Sequence, residues 1–322
     1  MPDSFTHLRI IMPDTAANVA TTLPALMRLR TQARGFSFLP RQPIRSLLSG
    51  KHASRIRGRG LDFEELRNYR IGDDVRTIDW KVTNRTGKPY VRVYTEERDR
   101  PCFVVVDQRN SMFFGSRLKM KSVTAAEVAA LAAWRVLGVS DRIGGLVFND
   151  RDSASTRPER SERTVMQWLG QVQRFNAALV SAPPLGGDRP ALSFGQVLQQ
   201  TEKLCPHDYL IVLISDFSGW TPDAAMRLRR LTRHNDLIAV HISDPLEQQL
   251  PAGRSFVVSD GESQLEVDAN QLGEKFATSF DESVASIETE LQHYGVPVIP
   301  IHTADEVAPQ IRHAIGKLGG HR

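Results

Sequence analysis

The stretch VVVDQRNSM (104–112) gathers the most pointed set of chemical groups in the chain. An aspartate followed by hydroxyls two and four positions later presents several oxygens from one turn. Hard divalent cations such as Mg²⁺ and Mn²⁺ take donors of that kind. Here Asp107 ends an apolar run and Ser111 stands four residues on, but Arg109 occupies the position between them. A guanidinium has five N–H donors and no acceptor, so Arg109 cannot be a ligand. A second carboxylate, Asp216 in ISDF, closes another apolar run.

A scaffold must bring those two strand ends together. FVVVD (103–107) is a continuous apolar run ending on Asp107, suited to a strand buried on both faces. Helical spacing of Val123, Ala126, Ala130, Trp134 and Leu137 predicts a helix over 120–137. The alternation continues with strands at 142–148, 208–215, 237–242 and 296–301. Helices are expected at 161–175 (with Ser161 as its cap), 193–204, 222–234, near 279–293 and near 303–317. Two extended runs around Asp260-Gly261 (254–268) predict a hairpin inserted into this rhythm. The fold class is therefore α/β, a parallel sheet with helices on both faces. In open sheets of this kind ligands sit beyond the carboxyl ends of the strands, where Asp107 and Asp216 both lie.

Residues 58–100 break the pattern. Phe63, Leu66 and Tyr69 predict a short helix ending at the turn Gly72-Asp73-Asp74. VRTIDWKV (75–82) and YVRVYTEE (90–97), flanking Thr86-Gly87-Lys88-Pro89, predict an antiparallel pair. Three regions result: residues 1–50 with a helix at 24–34 and a Pro-rich connector, a small β-rich unit over 51–100, and the sheet domain over 101–322 with its insertion near 250–268. Trp80 reads as a core anchor. Arg67, Arg70, Asp73, Asp74, Arg76 and Asp79 are dense and of mixed sign. They form either an ion-pair lattice or a face that another protein reads, and they are the candidate partner-binding residues.

Net charge is +4, unevenly spread: 19 Lys/Arg against 11 Asp/Glu in residues 1–100, and 22 against 26 in the rest. Lys51, Arg55, Arg57 and Arg59 form a basic cluster that would meet phosphate or an acidic partner, or else lie as a solvated face. Mixed sign elsewhere argues against a nucleic-acid surface. Cys102 and Cys205 read as two buried thiols of a reducing compartment. No stretch approaches the roughly 20 apolar residues of a membrane span, so a cytoplasmic protein is expected. No GxxxxGK[ST] loop, HExxH spacing or GxSxG elbow is present.

The run from Arg57 to Met112 resembles the family called domain of unknown function fifty-eight. The features that carry the resemblance are Gly58, Gly60, Phe63, Leu66, Tyr69, Gly72 to Asp74, Arg76, Ile78 to Trp80, and Glu96 to Asp99, followed by FVVVDQRNSM. The resemblance implies a von Willebrand factor A-like domain from about residue 101. In such domains an Asp-x-Ser-x-Ser turn, a threonine and a later aspartate hold a divalent cation that a partner's carboxylate completes. Mapped onto this chain, Asp107, Ser111 and Asp216 match, whereas Arg109 replaces a serine and Asp188 in GGDRP replaces the threonine. Three arrangements satisfy these residues: the guanidinium stands in for the metal among the carboxylates, Arg109 swings outward and Asp188 joins a metal site, or the turn is merely structural.

The family further implies a MoxR-type AAA+ ATPase, or its client, as partner. It departs from many members in lacking a membrane span near the N-terminus. The reading that follows is a non-enzymatic adaptor with a degenerate cation site and no required cofactor, Mg²⁺ or Mn²⁺ being the ion an intact site would take. The rivals are a metal-dependent hydrolase built on Asp107, Asp188 and Asp216, and electrostatic attachment to nucleic acid or lipid through residues 51–59.

Overall fold

Strands whose every residue is buried can only be central ones, and three segments among the described residues meet that condition. The computed structural model describes residues 16–34, 61–96, 100–181, 191–248, 255–259, 264–268 and 285–319. The elements begin with α1 (Ala16–Val19), α2 (Leu23–Arg28), β1 (Leu61–Asn68), α3 (Trp80–Thr86) and β2 (Tyr90–Glu96). The main alternation follows: β3 (Cys102–Asp107), α4 (Lys121–Gly138), β4 (Ile143–Phe148), β5 (Ser153–Glu159), α5 (Glu162–Ser181), α6 (Phe194–Leu204), β6 (Leu210–Ser215), α7 (Pro222–Leu231) and β7 (Asp236–Ser243). After α8 (Pro245–Gln248) come β8 (Ser255–Ser259), β9 (Gln264–Asp268), α9 (285–293), β10 (Val298–His302) and α10 (Val307–Gly319).

The main sheet runs β10-β7-β6-β3-β4-β5, parallel except for β5, which pairs antiparallel with β4 at one edge. Alternate residues of β3 enter opposite cores. Val104 and Val106 pack with α4, α5 and α10, while Phe103 and Val105 pack with α6, α7 and Leu291 of α9. Burying each such Val or Phe side chain stabilises by roughly 1.5–3 kcal/mol. The glycines of RIGGLVF mark close approach. A methyl group on Gly145 would overlap the indole of Trp168 on α5 and the Val104 carbonyl. This is the α/β architecture expected from the alternating runs. The antiparallel edge strand β5 was not anticipated, because its polar sequence SASTRPE lacks an apolar repeat.

The chain divides into two units, Met1–Ile44 with Arg100–Arg322, and Arg45–Asp99. The N-terminal helices thus belong with the sheet: Leu26 is fully buried in its core, and Trp134 Nε1 on α4 donates to the Leu26 carbonyl at 3.0 Å. A buried amide relay adds to this. Thr21 N donates to Asn176 Oδ1 at 2.7 Å, Asn176 Nδ2 to Gln108 Oε1 at 2.9 Å, and Gln108 Nε2 to the Ser122 carbonyl at 2.9 Å. Cys102 and Cys205 are buried and free, and burial pushes the Cys102 thiol up to about 12. None of the described helices is long and apolar enough to cross a membrane.

The small unit corrects three expectations. Phe63 and Leu66 lie in strand β1, which ends just before Tyr69, and not in a helix, because β1 pairs antiparallel with β2, with a bulge between Phe63 and Glu65. That irregularity breaks strict alternation and leaves a spacing that imitates a helix. Residues 75–82 are not a strand. A 3₁₀ turn spans Val75–Thr77, and α3 follows because Asp79 accepts hydrogen bonds from Lys81 N and Val82 N as its cap. Trp80 is no core anchor, being 64% exposed. Gly87 ends α3 at φ 71°, a left-handed value that favours glycine. The hairpin strands β8 and β9 pair as expected. Its tip Asp260-Gly261, the cluster Lys51, Arg55, Arg57 and Arg59, and Asp188 lie outside the described residues.

Candidate functional site

Asp107 ends β3 and is fully buried. The turn that follows folds Arg109 back onto it. Arg109 Nε lies 3.1 Å from both carboxylate oxygens, Nη2 donates to Oδ2 at 2.7 Å, and the Arg109 amide donates to Oδ1 at 2.9 Å. Ser215 Oγ, the last residue of neighbouring β6, donates to Asp107 Oδ2 at 2.6 Å. The guanidinium carbon also sits 5.4 Å from the Phe194 ring centre and 5.6 Å from that of Phe148, within cation–π range. Arg109 therefore points inward, with its side chain only 9% exposed.

The turn after β6 supplies the second carboxylate. Phe217 takes a φ of 55°, a strained value for an aromatic residue. Its amide's bond to Ser215 Oγ at 2.8 Å and ring contacts with Phe194 and Trp220 hold it there. Asp216 accepts from Ser218 N at 2.9 Å and lies 3.9 Å from Arg109 Nη2. Ser111 Oγ reaches Asp216 Oδ1 at 3.4 Å, a weak contact.

A residue not singled out from the sequence completes the cluster. Lys121, the first residue of α4 and 3% exposed in its side chain, donates to Asp216 Oδ2 at 2.9 Å and also to Glu247 on α8. Glu247 Oε2 in turn accepts from Asp244 N at 2.8 Å. The buried Asp244, just beyond β7, accepts from Ser116 N and Leu246 N, each at 2.9 Å, and from Thr303 Oγ1. Asp150, beyond β4, accepts from Asn110 N at 2.7 Å. Every parallel strand end from β4 to β7 thus carries a carboxylate. One signal for Lys121 was available: a lysine at a helix start opposes the helix dipole, so its placement there asks for a buried acidic partner.

Electrostatics follow from this geometry. Burial pushes Asp216 up, but the Lys121 ammonium and the Arg109 guanidinium outweigh it and hold the carboxyl well below the usual range. Burial likewise lowers Lys121, and Asp216 with Glu247 reverse that and raise it above its ordinary value. Burial raises Asp107 and Glu247, with Arg109 and Lys121 respectively opposing the rise.

Among the described residues the donors present do not fit a divalent cation. Two fixed cations with no lone pair already occupy the oxygens of Asp107 and Asp216, where a metal would have to sit. Among the described residues no group of three or more His, Cys, Asp or Glu is arranged to hold a metal.

In the small unit the candidate partner-binding residues divide into two sets. Arg67 clamps Asp73 through two bonds of 2.7 and 2.8 Å, and the Arg70 amide donates to the same carboxylate at 2.7 Å. The hydrogen bond from Arg67 and that from the Arg70 amide bring Asp73 down to about 2. Asp79 pairs with Arg92 at 2.8 Å, which lowers its pKa as well. Asp74 caps the 3₁₀ turn by accepting from Arg76 N. The side chains of Arg70 and Arg76 are exposed.

Residues 65–290, well over half the chain, match the family model described as "Protein of unknown function DUF58". Uncharacterized proteins of Mycobacterium tuberculosis (strain H37Rv) and Mycobacterium bovis are each 29% identical over 330 residues, spanning 97% of this chain and all of theirs. Among solved structures, BatB from Bacteroides thetaiotaomicron is 12% identical with a TM-score of 0.41, covering 68% of this chain and 98% of its own. An aerotolerance-related membrane protein from Bacteroides fragilis is 14% identical with a TM-score of 0.40, covering 68% and 99%. A von Willebrand factor type A protein from Catenulispora acidiphila is 15% identical with a TM-score of 0.31, covering 48% and 35%.

Proposed function

The chain belongs to the DUF58 family, and from that premise we propose that it is a non-enzymatic protein-interaction adaptor whose partner binding needs no metal ion. The observation that carries this reading is the filling of the carboxyl edge by Arg109 and Lys121. In this site Asp107 and Asp216 are held at 2.7 and 2.9 Å by the protein's own cations, so each already has an internal counter-charge. The same two cations speak against a hydrolase built on these aspartates, since neither carboxylate is free to bind a metal or take a proton from water. The partner class, a MoxR-type AAA+ ATPase or its client, is supported by the family resemblance of residues 57–112. Protein maturation or remodelling is the process in which such a pair would act.

The test is affinity purification of the tagged chain from its native host, with and without EDTA, quantified by mass spectrometry. An AAA+ ATPase enriched equally in both samples is the expected outcome. Enrichment lost on chelation would overturn metal independence. Absence of any ATPase from both samples would overturn the partner class.

A further inference from the structure

The 61–96 unit holds an exposed apolar set that its own fold does not use. Ile71 is fully exposed, Trp80 is 64% exposed and Val75 58%, and all three fall within residues 71–80. Their backbone is braced. Asp79 caps α3 and is tied to Arg92, which sets the turn from which Trp80 projects. The Arg67–Asp73 clamp and the left-handed turn at Gly72 (φ 106°) fix the loop that carries Ile71 and Val75. Aromatic and aliphatic groups presented from a fixed backbone lose little freedom on binding, and exposed tryptophan is the residue most often found as an interface anchor.

Residues 66–92 hold seven Lys/Arg and three Asp, and Asp62, Glu64, Glu65 and Glu96 on the two strands bring the 61–96 stretch to seven of each sign. Arg67 and Arg92 are engaged by Asp73 and Asp79, and Asp74 is turned to a backbone amide. Arg70, Arg76, Lys81, Arg85 and Lys88 carry no ion pair among the described residues.

We infer that this surface binds an acidic segment of a partner protein bearing an apolar anchor. The anchor covers Trp80 with Ile71 and Val75, and flanking carboxylates meet these five cations. A phosphate backbone would use the cations but leave Ile71 and Val75 without a role. A lipid surface calls for a longer amphipathic helix than the seven residues of α3. The inference rests on the adaptor reading and names the chemistry of its partner.

The test uses the full chain and a short fluorescein-labelled peptide that alternates glutamate with leucine around one phenylalanine. Comparison ligands are the same peptide with lysine for glutamate, an all-glutamate peptide, a single-stranded DNA oligonucleotide, and phosphatidylcholine/phosphatidylserine vesicles. The expected result is saturable binding of the first peptide above all others. Trp80→Ala and the double variant Lys81→Glu/Arg85→Glu should each weaken it about tenfold or more, with circular dichroism melts matching wild type. Tighter binding of DNA or vesicles, no peptide binding, or unchanged affinity in Trp80→Ala would overturn it. Trp80→Ala is also carried into the affinity purification. An ATPase retained by that variant removes this surface as its dock while leaving the adaptor reading intact. An ATPase missing from wild type strikes the partner class alone, and the peptide measurement still decides the surface.

Discussion

Arg109 and Lys121, at the carboxyl edge of the main sheet, have side chains 9% and 3% exposed, whereas Arg67 and Arg92 in the small antiparallel unit pair with Asp73 and Asp79 while 34% and 48% exposed. Bond lengths are nearly the same, 2.7–2.9 Å in all four. Surroundings make the difference. At the sheet edge each ion has given up its water, so its partner is indispensable. In the small unit solvent screens both arginines, so either can be lost at little cost, while Asp73 and Asp79 also hold a turn and the α3 cap. Mixed-sign charge is therefore desolvated at the sheet edge and largely open to solvent in the small unit.

The largest expected effect comes from Lys121→Ala, which strands Asp216 and Glu247 in the interior. It should cost about 3–5 kcal/mol in urea unfolding. A loss below about 1 kcal/mol would erase the contrast between the two regions. Next, Arg109→Ser combined with Lys121→Ser leaves Asp107, Ser111 and Asp216 without a fixed cation. Mn²⁺ should then raise the thermal midpoint of the double variant, by ligand linkage, and leave that of wild type unmoved. A rise in wild type would show that the edge can take a metal despite both cations.

Acid titration sharpens the comparison further. Asp73 and Asp216 both have lowered values, so what their ionised forms contribute is complete above the ordinary carboxylate range near 3.9 and lost as pH falls through the folded-state value. For Asp73 that value is about 2, and carbon-detected NMR should return it towards 3.8 in Arg67→Ala. Glu247 carries the opposite sign. Its raised value makes its ionised form a liability, relieved as pH falls through the folded-state value. The smallest effect on stability belongs to Trp80→Ala, which should shift unfolding by no more than about 0.5 kcal/mol. A larger loss would mean that the indole is part of a core after all.

Legibility in the sequence followed the same division. The parallel strands of the main sheet could be read because burial demands apolar runs, and Asp107 and Asp216 could be placed at the ends of two of them; the polar edge strand β5 could not. The small unit misled because Phe63, Leu66 and Tyr69 keep helical spacing across a bulge, and because Asp79 turns a β-branched stretch into a capped helix. The partners of Lys121 stayed hidden for a different reason, although its place at a helix start was itself a signal. It meets Asp216 across 95 residues and Glu247 across 126, distances at which no local pattern in the chain records the pairing. Trp80 misled through its type alone, since tryptophan serves equally in cores and at interfaces.

The amide relay that begins at Thr21 imposes an order on how the protein can be assembled during translation. Thr21 leaves the ribosome early, yet its acceptor on Asn176 is 155 residues behind it, and Trp134, which grips Leu26, is 108 behind. Until α5 has emerged, the first helices have no groove to enter, while β1 and β2 can already pair within their own short stretch. The helices around Thr21 and Leu26, made before the groove they enter, are among the last of the described elements to find their place.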